Sequence, residues 1–229
     1  MTTRHASNSA QASAQERTTE RNNRATRWFH ALVYITGLTL LATGWWLLLG
    51  GEGNPTPLAL VIGIPDTSLH TMIGWGFALI AIIGCVVGWR ATRTFVAESL
   101  RVDRSDARWF ARWPAALISG RFGSHDGHFD PGQRVLNVVM ALSLIALTLS
   151  GIGLVTVHGG PSFVWLARVH KWSTYVATPV IAGHVIVASG ILPGYRSVWR
   201  SMHFGGRLDR SVARRLWPAW LSRKSRWEL

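Results

Sequence analysis

The chain has 229 residues, a mean hydropathy of +0.18, 13 Trp and only 15% charged residues, which is too apolar and too rich in Trp for an ordinary soluble domain. A net charge of +13 would suit nucleic acid, but the basic residues sit in blocks between uncharged runs of roughly 20 residues, the membrane pattern, so nucleic acid is excluded as a partner. Cys85 is the single cysteine, which excludes a disulfide framework, covalent haem attachment through Cys-x-x-Cys-His and a thiolate-held iron–sulfur cluster; any cofactor must be held by histidine.

Residues 1–26 are rich in Ser, Thr, Ala and Arg without apolar periodicity and read as a flexible tail rather than a signal peptide. Trp28 to Leu49 is uncharged and long enough to span a bilayer, with His30 near its start. Gly50 to Pro65 is a Gly/Pro-rich loop with no Lys or Arg. A second span runs from about Thr67 to Trp89, with His70 near its start. Arg90 to Arg134 is a polar connection with eight arginines, and Val135 to Val157 is a third span, free of histidine. His158 to Ser162 is a short turn, and the fourth span, Phe163 to Leu192, carries His170 and His184. In residues 193–229, Leu208, Val212 and Leu216 recur at four-residue spacing among arginines. That pattern suits either a helix lying on the membrane surface or a frayed basic tail.

These elements predict an all-α membrane protein: a four-helix bundle over 27–192, flanked by a tail at 1–26 and a basic segment at 193–229. The three regions on one side of four spans hold 22 of the 24 Lys and Arg, and only Arg168 and Lys171 fall on the other. The positive-inside rule makes the basic side, with both termini, cytoplasmic.

Topology then sorts the histidines by depth. His170 and His184 are 14 residues apart, nearly four turns or ~21 Å, so they share a helix face at opposite depths. His30 falls at the depth of His184, and His70 at that of His170. Intramembrane ionisable residues are costly and mark function. Two imidazoles at one depth in a helix bundle suit the axial positions of a b-type haem. Zinc prefers three or four protein ligands, and a proton relay usually adds an intramembrane carboxylate, which the spans lack. Gly74 and Gly183 are small residues where a macrocycle can approach a backbone, or plain helix contacts. Arg168 and Lys171 flank His170 and either pair with haem propionates or snorkel to the interface. His125, His128, His158 and His203 fall in loops or tails and are expected at the solvated surface.

Asp130, Gly132 and Gln133 precede the third span at the depth of His30 and His184. Pro and Gly there read first as a helix start. Free backbone N–H groups, an amide and a carboxylate also suit a quinone carbonyl.

Arg27-x-x-His30, His70, Gly132-Gln133-Arg134, His170 and His184 together resemble the cytochrome b (gamma) subunit of respiratory formate dehydrogenases, over residues from about 24 to 221. Trp199-Arg200-Ser201-Met202 through Trp220 is similar as well. The histidines alone also resemble di-haem cytochromes b of hydrogenases, thiosulfate reductases and the b561 type. The formate dehydrogenase resemblance implies a multi-pass subunit of the bacterial inner membrane with two haem b groups, the outer on His70 and His170 and the inner on His30 and His184. Arg27, Gly74, Arg168, Lys171 and Gly183 would lie against the haems. It implies a quinone, menaquinone or ubiquinone, near Asp130, Gly132, Gln133 and His184; Asp130 stands where the family often has Asn. The implied partners are a periplasmic iron–sulfur (beta) subunit, a molybdenum or tungsten catalytic (alpha) subunit that holds the formate site, and membrane lipid. The rival from another class is a haem-free transporter or assembly protein.

Overall fold

In a bilayer each backbone polar group needs a partner within the chain, so the uncharged runs are expected as helices. The structure, a computed structural model, describes residues 17–50, 54–123 and 125–227. Its long helices are α1 (Arg24–Leu48), α3 (Asp66–Val87), α6 (Pro131–Thr156) and α7 (Gly160–Ala188); the short α2 (Pro57–Ile62) lies between α1 and α3. Among the described residues α1, α3 and α6 are each long and apolar enough to cross a membrane. A fourth crossing is made if α7 and Pro193–His203 form one bent span.

Side chains set the helix boundaries. Asn23 Oδ1 accepts from the Thr26 N–H at 2.8 Å and caps α1. Thr56 Oγ1 accepts from the Ala59 N–H and donates to Asp66 Oδ1 at 2.5 Å, while Asp66 Oδ2 accepts from the Thr56 N–H. This buried knot joins the start of α2 to that of α3, so the loop expected at 50–65 holds a capped helical turn. Beyond α7, Gly190 has φ +74°, and a Cβ there would lie 3.2 Å from the Tyr195 carbonyl oxygen. Only glycine suits that turn.

The chain forms two compact units, each described by itself. The second comprises Trp28–Phe95 and Leu136–Ala182, and so holds most of α1, α3, α6 and α7. Its large apolar side chains, among them Ile35, Leu79, Ile82, Leu142 and Leu149, point outward, while Thr43, Ser143, Ser150 and Thr174 are buried. That inversion suits lipid, where small and hydroxyl-bearing residues let helices approach closely. A Cβ on Gly84 would lie 1.9 Å from the Phe29 ring, so this glycine admits Phe29 and seats the start of α1 against α3.

The first unit comprises Met1–Arg27, Val96–Val135 and Gly183–Leu229. It contains the end of α4 (Trp89–Ser99), α5 (Asp106–Ser119), a 3-10 turn at Pro193–Tyr195, and the short helices α8 (Arg200–His203), α9 (Arg210–Leu216) and α10 (Pro218–Trp227). Strand β1 (Thr18–Glu20) pairs antiparallel with β2 (Arg207–Asp209), Thr19 opposite Leu208. Part of the tail expected over 1–26 is therefore ordered. Residues 1–16 lie outside the described residues, and the rest is held by strand pairing and the first turn of α1.

Residues 193–227, read from sequence as either a membrane-surface helix or a frayed tail, carry short helices with a core of their own. Leu208, Leu216, Trp217 and Trp220 are buried with Tyr195, Ala213 and Leu221 in one core, and Val212 packs against it. Each large apolar side chain so buried contributes about 1.5–3 kcal/mol. The four-residue seam packs within the protein. Arg21 lies over Trp217 and Trp220, 4.5 and 4.3 Å from the ring centroids.

Candidate functional site

His70 of α3 and His170 of α7 face each other inside the second unit, ring centroids 6.3 Å apart and planes at 81°. Four residues from the other two long helices complete the setting. Thr43 Oγ1 of α1 lies 2.8 Å from His70 Nδ1, and Ser150 Oγ of α6 lies 3.0 Å from His170 Nδ1. The residue after each hydroxyl is glycine. A Cβ on Gly44 would stand 3.2 Å from His70 Cε1, and one on Gly151 would stand 3.4 Å from His170 Cε1. Each imidazole is thus held by a hydroxyl at one nitrogen and a bare backbone at one ring edge.

The spacing fits an axial pair. Two imidazoles that shared one metal through bonds of about 2 Å would stand with their centroids roughly 6 Å apart, close to the 6.3 Å found here. With Nδ1 engaged, Nε2 is the nitrogen left for a metal on each ring. Among the described residues no group of three or more His, Cys, Asp or Glu side chains could hold a metal ion. A two-imidazole couple therefore suits a metal that arrives with its own equatorial ligands, as iron does in a porphyrin.

Sequence reasoning passed over Thr43, Gly44, Ser150 and Gly151. The signal was a hydroxyl–glycine pair, Thr43-Gly44 and Ser150-Gly151, within each of two apolar spans. Two of the residues expected beside the macrocycle have looser surroundings. A Cβ on Gly74 would make ordinary contact with Leu40 at 3.9 Å, and one on Gly183 would meet nothing within 4 Å. Arg168 and Lys171 are exposed near His170 and line a recess with Phe163, Val164 and Ala167.

His30 lies in the second unit, its ring 5.6 Å from that of Tyr34. His184 and Arg27 lie in the first; both are half-buried, and Arg27 Nε would be 3.4 Å from a Cβ on Gly206.

The entrance of α6 is densely built. Asp130 Oδ1 accepts from the Gln133 N–H at 2.9 Å and caps the helix, with Pro131 as its first residue. Burial holds the Asp130 carboxyl above the usual carboxylate range, against hydrogen bonds and the nearby His125 and Arg134 charges that favour the anion. A Cβ on Gly132 would lie 2.9 Å from the Trp109 ring, so that glycine makes room for Trp109. Trp217 Nε1 donates to Gln133 Oε1 at 3.3 Å. Arg134 is buried and donates to the Arg101 and Phe129 carbonyls and, within a short contact, to that of Asp126; it also pairs with Asp103 at 3.0 Å and Asp106 at 3.2 Å.

His125, expected at the surface, is buried, and its Nε2 donates to the Leu216 carbonyl at 2.7 Å. His128 is half-buried; its backbone N–H donates to Glu98 and its carbonyl accepts from Arg21. Both histidines leave the surface because the loop before α6 packs against the C-terminal helices, which sequence alone read as a separate segment.

A family model described as prokaryotic cytochrome b561 matches residues 21–205 of this chain. Comparison with curated proteins finds no match.

Proposed function

Because the chain belongs to the prokaryotic cytochrome b561 family, membrane proteins that bind haem b, usually through histidine, and transfer electrons, we propose that it is the membrane cytochrome b subunit of a respiratory formate dehydrogenase. The observation that carries the haem reading is the couple of His70 and His170 on two facing helices, 6.3 Å apart, which would hold the haem iron between them. Bound haem supplies one-electron exchange between ferric and ferrous iron. The chain's own residues position that chemistry: His70 and His170 hold the outer group, and Arg168 and Lys171 lie near enough in sequence to His170 to neutralise propionates. His30 and His184 are assigned the inner group from their shared depth, with Arg27, Gly74 and Gly183 beside the macrocycles.

The quinone is assigned to the entrance of α6. Gln133 has its amide oxygen engaged by Trp217, which leaves its NH2 to donate to a quinone carbonyl. Asp130 holds the turn, and its raised proton affinity suits delivery of a proton to a reduced quinone. His184 is placed beside this pocket by analogy with the formate dehydrogenase branch. The basic segments favour the cytoplasm for this side and for both termini, in an inner membrane. The donors are a periplasmic iron–sulfur subunit and, beyond it, a molybdenum or tungsten subunit that oxidises formate.

The test is to extract the intact complex in mild detergent and identify its companions, then add formate and record the haem spectrum. Formate-dependent reduction, reversed by a quinone analogue, is expected. Haem reduction by hydrogen or another donor, with none by formate, would reject the formate assignment while leaving the cytochrome intact.

A further inference from the structure

Hydroxyl groups inside the second unit admit a proton count. Thr43 Oγ1 lies 2.8 Å from the Thr39 carbonyl oxygen and 3.2 Å from that of Leu40, as well as 2.8 Å from His70 Nδ1. Ser150 Oγ lies 2.5 Å from the Ala146 carbonyl and 3.2 Å from that of Leu147, as well as 3.0 Å from His170 Nδ1. A hydroxyl has one hydrogen, and a carbonyl oxygen can only accept. At these separations the hydrogen must lie between the two oxygens, since otherwise lone pair would face lone pair. Back-bonding of this kind is the usual state of Ser and Thr inside apolar helices. Each hydroxyl is then an acceptor toward its histidine, so the proton sits on Nδ1.

We propose that Thr43 and Ser150 are positioning residues, each taking the Nδ1–H of one histidine and thereby setting the tautomer in which Nε2 presents its lone pair to a shared metal. Gly44 and Gly151 complete the device, because a Cβ at either would crowd the adjacent ring at 3.2 or 3.4 Å. The arrangement is repeated: α1 serves the histidine of α3 as α6 serves that of α7. Neither helix contributes a ligand to this couple; each contributes the group that orients one. A hydrogen bond from the far nitrogen of a ligating imidazole raises its basicity and stabilises the more highly charged metal. These hydroxyls therefore act on redox potential as well as on geometry.

The inference rests on the haem reading for its redox consequence, but its tautomer claim does not. The experiment uses the full chain in its membrane complex, wild type beside Thr43→Val, Thr43→Ser, Ser150→Ala and Ser150→Thr. In protein carrying nitrogen-15 histidine and stripped of haem, solid-state NMR should show His70 and His170 protonated at Nδ1 in the wild type. Thr43→Val should alter His70 alone, and Ser150→Ala should alter His170 alone. In loaded protein, Thr43→Val and Ser150→Ala should weaken haem retention about 10–100-fold, the usual size of such an effect. The midpoint potential of the haem that remains should rise, while Thr43→Ser and Ser150→Thr keep the wild-type value. Protonation at Nε2 in the stripped wild type overturns the proposal, as does a potential unmoved by both apolar variants. A wild type that carries no haem at this couple overturns the haem reading instead, with the tautomer still decided by the NMR arm.

Discussion

His70 and His170 stand with ring centroids 6.3 Å apart and planes nearly perpendicular at 81°, each backed at Nδ1 by a hydroxyl from a different helix. A couple so built has no redundancy, because each ring would supply one of only two protein ligands. His70→Ala and His170→Ala are each expected to remove the haem proposed for this couple from the dithionite-reduced spectrum of isolated membranes, while the chain still inserts. Retention of the full b-type absorbance in both variants would falsify the assignment.

Gly84 admits the Phe29 ring so closely that a Cβ would overlap it at 1.9 Å. Phe29 precedes His30, so the packing here also seats that histidine. Gly84→Ala must displace the ring and is expected to cost about 1–3 kcal/mol, the usual range for overpacking. Thermal unfolding in detergent reads the loss. Phe29→Ala combined with Gly84→Ala should recover part of it, since the overlapping ring is gone.

Arg134 is buried, with carbonyl acceptors around it and Asp103 and Asp106 as counter-charges. Removing one member of a buried ion network usually costs about 3–5 kcal/mol. Asp103 keeps Arg101 as a partner at 3.0 Å, and both carboxylates retain some solvent, so the low end is expected. Arg134→Ala should therefore destabilise the first unit by about 3 kcal/mol, read as earlier proteolysis of the segment before α6. An unchanged cleavage pattern would show that the loop holds without it.

His128 is held neutral. Burial, then the charges of Arg21 and Arg223, push its pKa from the ordinary 6.5 to about 3. Because the folded value is depressed, the unfolded chain takes up a proton that the folded chain refuses between these values. The stability is present above pH 6.5 and falls as the pH drops toward about 3. His128→Gln, which cannot titrate, should flatten the stability profile of the first unit across that window. A variant as acid-sensitive as the wild type would assign the loss to other groups.

The sequence by itself determined the helical membrane character and where the apolar runs begin and end; the depth of each histidine is an expectation built on them. These follow from local properties: about 3.6 residues per turn, 1.5 Å rise, and the cost of charge in lipid. It also marked the entrance of α6, where Asp130 and Pro131 are a legible helix start. What only the tertiary structure decided is non-local. Thr43 meets His70 and Ser150 meets His170 across turns and helices, and nothing in a hydroxyl–glycine pair says which imidazole it will back. Leu208, Val212 and Leu216 carry the same spacing whether lipid or protein covers them; only the folded chain shows Leu208 and Leu216 buried with Tyr195 and Trp217, and Val212 packed against them. His125 has no sequence mark of burial at all, because its cover comes from Leu216, far along the chain, and such contacts depend on folding rather than on neighbours in sequence.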